Sequence, residues 1–505
     1  MAGVLVLCLI AFSSTFALII GGLYIYAKIV YGYFKKRRIP FDIPIFPFGS
    51  LTSSAHLKKS FSCVLADMYT KYKGIKMVGF FSFWQKDMLI TDPEMIKQVL
   101  IKDFDVFQDR GVYYNKQKDP LSAHLFALAG EEWKTLRIKL IPTFSSGKIK
   151  GMFHLFDRCA SEMTDYVAML KSENPSVDCQ KLFFSYGLAV ISNTAFGLES
   201  DALTNKDSTF VKMAKKMVAP TIGRMLSTIL MFHSEIAKIL NTRVVPSDVS
   251  DFFMCVVKDA IRYREKNSVN RNDYLQLLIQ LKDDTSTNIQ GSDVRLSDNE
   301  LAAEAFVFIL AGSETTSSTM SFCLYELAMN AEVQTRLQDE VDSLQEITYE
   351  SINGLEYLSM VVDETLRKYP PLGFLNRLCS RDYPVPGTDI TIEKGVQVFV
   401  SIRGLHNDPE LFPEPERFIP ERFSRENKAN IRPYTYMPFG EGPRFCIGMR
   451  FAKMSVKTGL AVLLRQYRVL PTSSTPKQVK FEPRTIATTA AGGVWLSLRE
   501  RRQMK

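Results

Sequence analysis

"FGEGPRFCIG", residues 439–448, surrounds one cysteine with three glycines, two phenylalanines, a proline and an arginine. No second thiol or imidazole is close in sequence, the nearest being Cys379 and His406. Gly440 and Gly442 open backbone angles closed to other residues, Pro443 fixes its own φ, and Gly448 leaves room for another surface to approach. The run that follows, "MRFAKMSVKTGLAVLLRQY", spaces Phe451, Met454, Leu460, Leu463 and Leu464 close to helical periodicity. Cys446 therefore falls at a helix N-terminus, where free N–H groups and the helix dipole favour a thiolate.

Several uses of a thiolate compete. A phosphatase-type loop needs an arginine six residues after the cysteine, and position 452 is Ala. Zinc needs three or four clustered ligands, which the neighbourhood lacks. A buried structural cysteine is the ordinary reading of any lone Cys, but it does not account for the frame. The stretch matches Phe-x-x-Gly-x-Arg-x-Cys-x-Gly at Phe439, Gly442, Arg444, Cys446 and Gly448. It resembles the haem-ligand signature of the cytochrome P450 superfamily. That resemblance implies Cys446 as axial ligand of haem b (iron protoporphyrin IX), pushing electron density that favours O–O cleavage. It also implies that Phe439 packs beside the sulfur and that Arg444 reaches a haem propionate.

Further motifs carry the same resemblance. "AGSETT", Ala311 to Thr316, lies in a long helical pattern that begins near Leu296, is opened by a Ser297/Glu300 capping box and runs to about Ala328. Gly312 weakens that helix locally, and a threonine hydroxyl bonding back one turn can open a bulge. The family reading gives Thr315 the holding of dioxygen and waters, and Glu314 the relay of protons; a packed Ser/Thr cluster is the plain alternative. "ETLR" sets Glu364 and Arg367 at i and i+3 before Pro370. By resemblance they form a buried triad with an arginine of "PERF", which occurs twice. Arg422, two dozen residues before the cysteine, is preferred over Arg417. "EEWKTLR" puts Trp133 and Arg137 on one helix face, and the family uses such a pair on a haem propionate. Arg377 and Arg110 fall where related enzymes supply further propionate contacts.

The 505 residues carry 63 Lys+Arg against 54 Asp+Glu, a net +9 that suits acidic partners or an anionic membrane surface. Nucleic acid is not favoured, since no basic block is interleaved with aromatics. Eight scattered cysteines without CxxC pairs read as reduced thiols. From Ala2 to Ala27 no residue is charged, enough helix to cross a hydrocarbon core of ~30 Å. Lys35, Lys36, Arg37 and Arg38 follow it, so the positive-inside rule puts the body of the chain in the cytoplasm. Residues 1–30 thus read as an uncleaved signal-anchor, and 31–50 as a stiff extended connector containing Pro40, Pro44 and Pro47 in place of the family's usual proline-glycine-rich hinge. Residues 51–505 read as one catalytic domain. Strands are few: "IKMVGFF", "DMLIT" before a helix near Pro93, and "TDITIEKGVQVFVSI", which reads as a hairpin turning at Glu393 to Gly395.

These readings converge on a mainly α protein with small β-sheets, the cytochrome P450 fold, and an N-terminal transmembrane helix. The implied activity is membrane-bound monooxygenation of lipophilic substrates, xenobiotics such as plant toxins or insecticides, in the endoplasmic reticulum membrane. "PFGEGPRFCIGMRFA" and "AGSETT" are similar to the microsomal drug-metabolising and insect detoxification enzymes. NADPH-cytochrome P450 reductase is the implied partner, with cytochrome b5 as a second. Arg450, Lys453 and Lys457 on one side of the helix after Cys446 would dock the reductase. The pocket is expected to involve Phe306, Phe308, Ala311, Thr315, Phe374 and Phe107, with Val218 to Phe232 dipping into the membrane surface or packing inside. Three rivals share the motifs: oxidation of an endogenous hormone or fatty acid, a haem-thiolate isomerase or dehydratase, and a non-catalytic haem sensor.

Overall fold

The computed structural model describes residues 1–198, 202–205, 207–283 and 296–501. Its first helix, Ala2–Tyr31, exposes Leu and Ile along its length, with Ala27 alone buried among the described side chains. By length and composition it is apolar enough to cross a membrane.

The connector does not stand off from the body as an extended spacer. Phe34, fully buried, presses its ring where a side chain on Gly79 would begin, 2.6 Å away. Pro40 and Asp42 exchange backbone hydrogen bonds with Gly79, and Ser50 donates its N–H to the Phe81 carbonyl at 2.8 Å. The prolines halt the helix, and the freed backbone groups find partners on a strand edge that would otherwise be open.

That edge belongs to a four-stranded sheet. Met77–Ser82 pairs antiparallel with Gln85–Ile90, which runs parallel to Gln397–Val400, itself antiparallel with Leu375–Leu378. The expected hairpin is corrected here. Gly395 does turn the chain, with φ +85°. Its two arms nevertheless part: Thr391–Ile392 pairs with Tyr383–Pro384, while Gln397–Val400 is claimed by strands on both sides. Two ready-made edges outcompete local pairing.

The helical body is built on Asp298–Met329, whose N-terminus has the expected capping box, Ser297 with Glu300. From Thr316 to Ala328 every side chain is buried, and polar ones among them are satisfied inside the protein, Ser317 and Ser318 donating to the carbonyls of Gln180 and Thr488 and Glu326 pairing with Lys368. It crosses Cys179–Ile191 closely: a Cβ on Gly187 would lie 3.1 Å from Cα of Ser313, and one on Gly312 would lie 2.5 Å from the Ile191 side chain. Gly312 therefore serves the crossing and does not break the helix, which continues unbroken through 311–316 although Thr315 bonds back to the Ala311 carbonyl. Two apolar cores result, one helical around this crossing and one around the sheet. Between them lies the site.

Candidate active site

A cavity of about 420 Å³ is lined by residues of both cores and by the Phe439–Gly448 loop. The loop is held by its own backbone: Cys446 donates its N–H to the Phe439 carbonyl at 2.8 Å, and Phe445 to that of Gly442 at 3.0 Å. Gly440 and Gly442 take φ of +74° and +73°. Gly448 meets no crowding, since its nearest neighbour would be Phe144 at 3.9 Å, so no protein surface demands a glycine there.

Cys446 faces this cavity and precedes the helix Met449–Gln466, whose N-cap is Gly448. The helix terminus does not decide its ionisation by itself. Burial pushes the thiol up, opposed by the Gly448 backbone and by the charges of Arg137 and Arg110. Among the described residues no cluster of three His, Cys, Asp or Glu could hold a metal. All eight cysteines are free.

Four arginines from separate parts of the chain meet the same cavity. Arg137, one turn beyond Trp133 on Gly130–Leu140, donates to the Phe445 carbonyl at 2.9 Å. Arg444 stacks 3.9 Å over the Trp133 ring and donates to the carbonyls of Gln108 and Leu128, with Asp109 at 3.1 Å. Arg110 donates to the carbonyls of Phe126 and Arg444, both at 3.1 Å. Arg377 is brought in by the edge strand, next to Asn376, which donates to the Arg110 carbonyl at 2.6 Å.

Burial lowers the pKa of all four guanidiniums, Arg444 to about 9 and Arg377 to about 10. For Arg110 and Arg444, repulsion from neighbouring arginines adds to it. Buried N–H groups on Arg137, Arg377 and Arg444 have no partner in the protein. So many desolvated cations with free donors call for anionic acceptors at the cavity rim. The two carboxylates of a haem, above a loop presenting one sulfur, are a chemical fit to this set.

Ala311, Glu314 and Thr315 line the cavity from the long helix. Burial raises Glu314 to about 7, with Arg224 pulling the other way. Phe308 and Phe374 also line it. Phe306 and Phe107 do not: Phe306 packs on Phe253 at 5.4 Å between ring centroids, and Phe107 on Tyr383 at 5.0 Å. Both belong to the cores, where their registers turn them away. The helix Ile222–Phe232 covers the cavity with Arg224, Thr228, Met231 and Phe232, and exposes Ile222 and Leu226.

The buried triad forms with Arg422. Arg367 bonds Glu364 through Nε at 2.7 Å and Nη2 at 2.9 Å, both side chains fully buried, and Arg422 Nε reaches Glu364 at 3.4 Å. Arg417 is exposed and pairs with Glu414. His406, buried and kept neutral with its pKa lowered to about 3, accepts the Met437 N–H and links the Arg367 backbone to the start of the cysteine loop.

The basic docking face is corrected. Lys457 is buried, lowered to about 8 by desolvation, and donates to the Asn353 carbonyl. Lys453 is paired with Asp363 at 2.6 Å. Arg450 alone of the three is exposed. Sequence reading missed His124, Glu304 and Arg224, all cavity-lining. Each sits in an unremarkable local pattern, and only the fold turns it inward.

The cytochrome P450 family model matches residues 40–496. Similar curated proteins include probable cytochrome P450 6a14 of Drosophila melanogaster, 37% identical over 486 residues, covering 93% of this chain and 95% of the relative. Cytochrome P450 6k1 of Blattella germanica is 37% identical over 501 residues, covering 95% of each chain. Cytochrome P450 6A1 of Musca domestica is 38% identical over 485 residues, covering 93% of this chain and 94% of the relative.

Proposed function

This chain belongs to the cytochrome P450 family, and from that premise we propose that it oxidises lipophilic xenobiotics with NADPH electrons delivered by a reductase. It is a haem-thiolate monooxygenase, an oxidoreductase whose family binds haem b through a cysteine thiolate. When bound, the haem supplies the redox chemistry that splits O2, so that one oxygen atom enters the substrate and the other leaves as water.

The chain's own residues have separable tasks in this reading. Cys446 would hold the haem iron through its thiolate. Arg137, Arg377, Arg444 and Arg110 would hold the propionates, with Trp133 donating beside them, and Phe439 would shield the sulfur. The observation that carries this is the convergence of four arginines, three of them buried with unpartnered N–H groups, on the cavity Cys446 faces. Thr315 would hold a proton-bearing group in the cavity, its hydroxyl oriented by the Ala311 carbonyl. Glu314, raised to about 7, can give and regain a proton near neutrality.

Access and delivery follow from the surface. Ile222 and Leu226 would sit in the membrane interface, and the first helix would anchor the body to the endoplasmic reticulum membrane with residues 31–505 in the cytoplasm. The reductase would meet the face around Arg450, with cytochrome b5 as a further donor. Turnover of a lipophilic substrate that consumes NADPH and O2 only with reductase present is the expected result. Conversion without NADPH or O2 would mean an isomerase or dehydratase instead.

A further inference from the structure

We propose that His406 is a positioning residue for the Cys446 thiolate, joining the buried Glu364–Arg367 pair to the start of the cysteine loop. The inference rests on the reading of Cys446 as the haem ligand and adds what holds the sulfur in place. His406 closes the short helix Ile402–His406 and is fully buried. Its Nδ1 faces the Arg367 carbonyl at 3.2 Å, and its Nε2 faces the Met437 N–H at 3.0 Å. Those partners admit one form of the ring, neutral, with Nδ1 donating and Nε2 accepting. Arg367 Nη1 donates to the His406 carbonyl at 2.9 Å, which sets a cation where it opposes a second proton on the ring. Tyr436 stacks on the imidazole at 5.2 Å between centroids, and Phe412 meets it edge-on at 6.2 Å.

Met437 is buried, and its N–H has no other acceptor among the described residues. From there the constraint runs through backbone alone. The Met437 carbonyl accepts the Gly440 N–H at 3.0 Å, and the carbonyl of Phe439 accepts that of Cys446 at 2.8 Å. Gly440 and Gly442 give the loop its freest backbone, so its placement has to come from ties outside it. A second tie leaves the same helix, Glu356–Lys368: the Asp363 carboxylate takes Lys453 at 2.6 Å on the helix that follows Cys446. The loop is thus fastened to one helix on both sides of the cysteine. Lys453 is partly exposed, and such a pair contributes little. Removing the imidazole instead leaves a buried N–H unpaired, which makes His406 the stronger tie.

The test is the persistence of the long-wavelength thiolate band in the reduced, CO-bound holoenzyme, timed beside a thermal melt of each protein. The proteins are wild type, H406F, H406N, H406Q and Q334M. H406F keeps the ring's bulk and makes neither bond; H406N keeps a donor for the Arg367 carbonyl but is too short for Met437; H406Q returns an acceptor to the place of Nε2. Gln334 is buried like His406, accepts the Val469 N–H at 2.7 Å and donates to the carbonyls of Leu327 and Val469, so Q334M strands comparable groups away from the cysteine loop. H406F and H406N should lose the band about tenfold faster than wild type or more, and H406Q should keep it. Q334M should melt lower yet lose the band at the wild-type rate. Loss in H406F and H406N no faster than in Q334M, or in H406Q as fast as in H406N, would overturn the assignment. H406N against H406Q decides it if H406F does not fold. A wild type without the band would instead contradict the haem-thiolate reading itself.

Discussion

A Cβ on Gly442 would stand 2.1 Å from the carbonyl oxygen of Leu100, at a backbone φ of +73°. The cysteine loop is thus wedged against the end of a sheet-side helix by a contact only glycine allows. Gly442→Ala is expected to lose haem incorporation and lower the melting temperature sharply, since clash and left-handed strain add. Gly440→Ala, with its nearest neighbour at 3.5 Å, should cost only the strained backbone, about 1–2 kcal/mol, and keep its haem. The ratio of haem to protein absorbance, with a thermal melt, checks both; identical behaviour of the two variants would contradict this account.

Glu364 and Arg367 share a fully buried ion pair. Removing one partner strands the other charge, so Glu364→Gln should destabilise by about 3–5 kcal/mol. Arg417→Ala, at an exposed pair, should change stability by no more than about 1 kcal/mol. Arg422→Ala should fall between, as its contact is longer and its burial partial. Denaturant midpoints across the three variants would order them.

Arg137 offers an unpartnered buried N–H to the cavity and one bond to the Phe445 carbonyl. Losing a charge-assisted bond to a carboxylate costs about 1.5–3 kcal/mol. Arg137→Gln should therefore release haem about tenfold faster or more, measured by transfer to an apo haem acceptor. Arg417→Ala, away from the cavity, should release it at the wild-type rate.

Glu304 accepts the Leu125 N–H at 2.7 Å and is raised by burial to about 8. The folded protein then keeps a proton that the unfolded chain gives up near the ordinary value of 4.5. Its contribution to stability is complete below that value and falls as pH climbs toward about 8, by up to about 1.4 kcal/mol per pH unit. Asp87 and Glu314, both raised to about 7, act in the same direction. Glu304→Gln should lose less stability than wild type between about pH 7 and pH 8, seen in melting temperature; an unchanged pH profile would count against a buried protonated Glu304.

Where function needs neighbours in sequence, the sequence was readable. The cysteine loop, the Glu364/Arg367 pair and the capped long helix are set by residues a few positions apart, and each lies where its pattern indicates. What depended on distant chain was not. Gly395 marks a turn, but which strands its arms join is decided by Gln85–Ile90 and Leu375–Leu378. Lys453 and Lys457 share a helix side, yet Asp363 and Asn353 occupy them. Arg224 lies in an apolar run that reads equally as core or membrane contact. Its entry into the cavity follows from how that helix covers the cavity.

The assignment of Cys446 as the haem ligand is tested most directly by the absorption spectrum of the reduced, CO-bound protein, recorded beside Cys446→Ser. The wild type is expected to give the long-wavelength band of a thiolate-ligated haem and the serine variant to lose it. Absence of that band from the wild type, or its survival in the variant, would contradict the assignment.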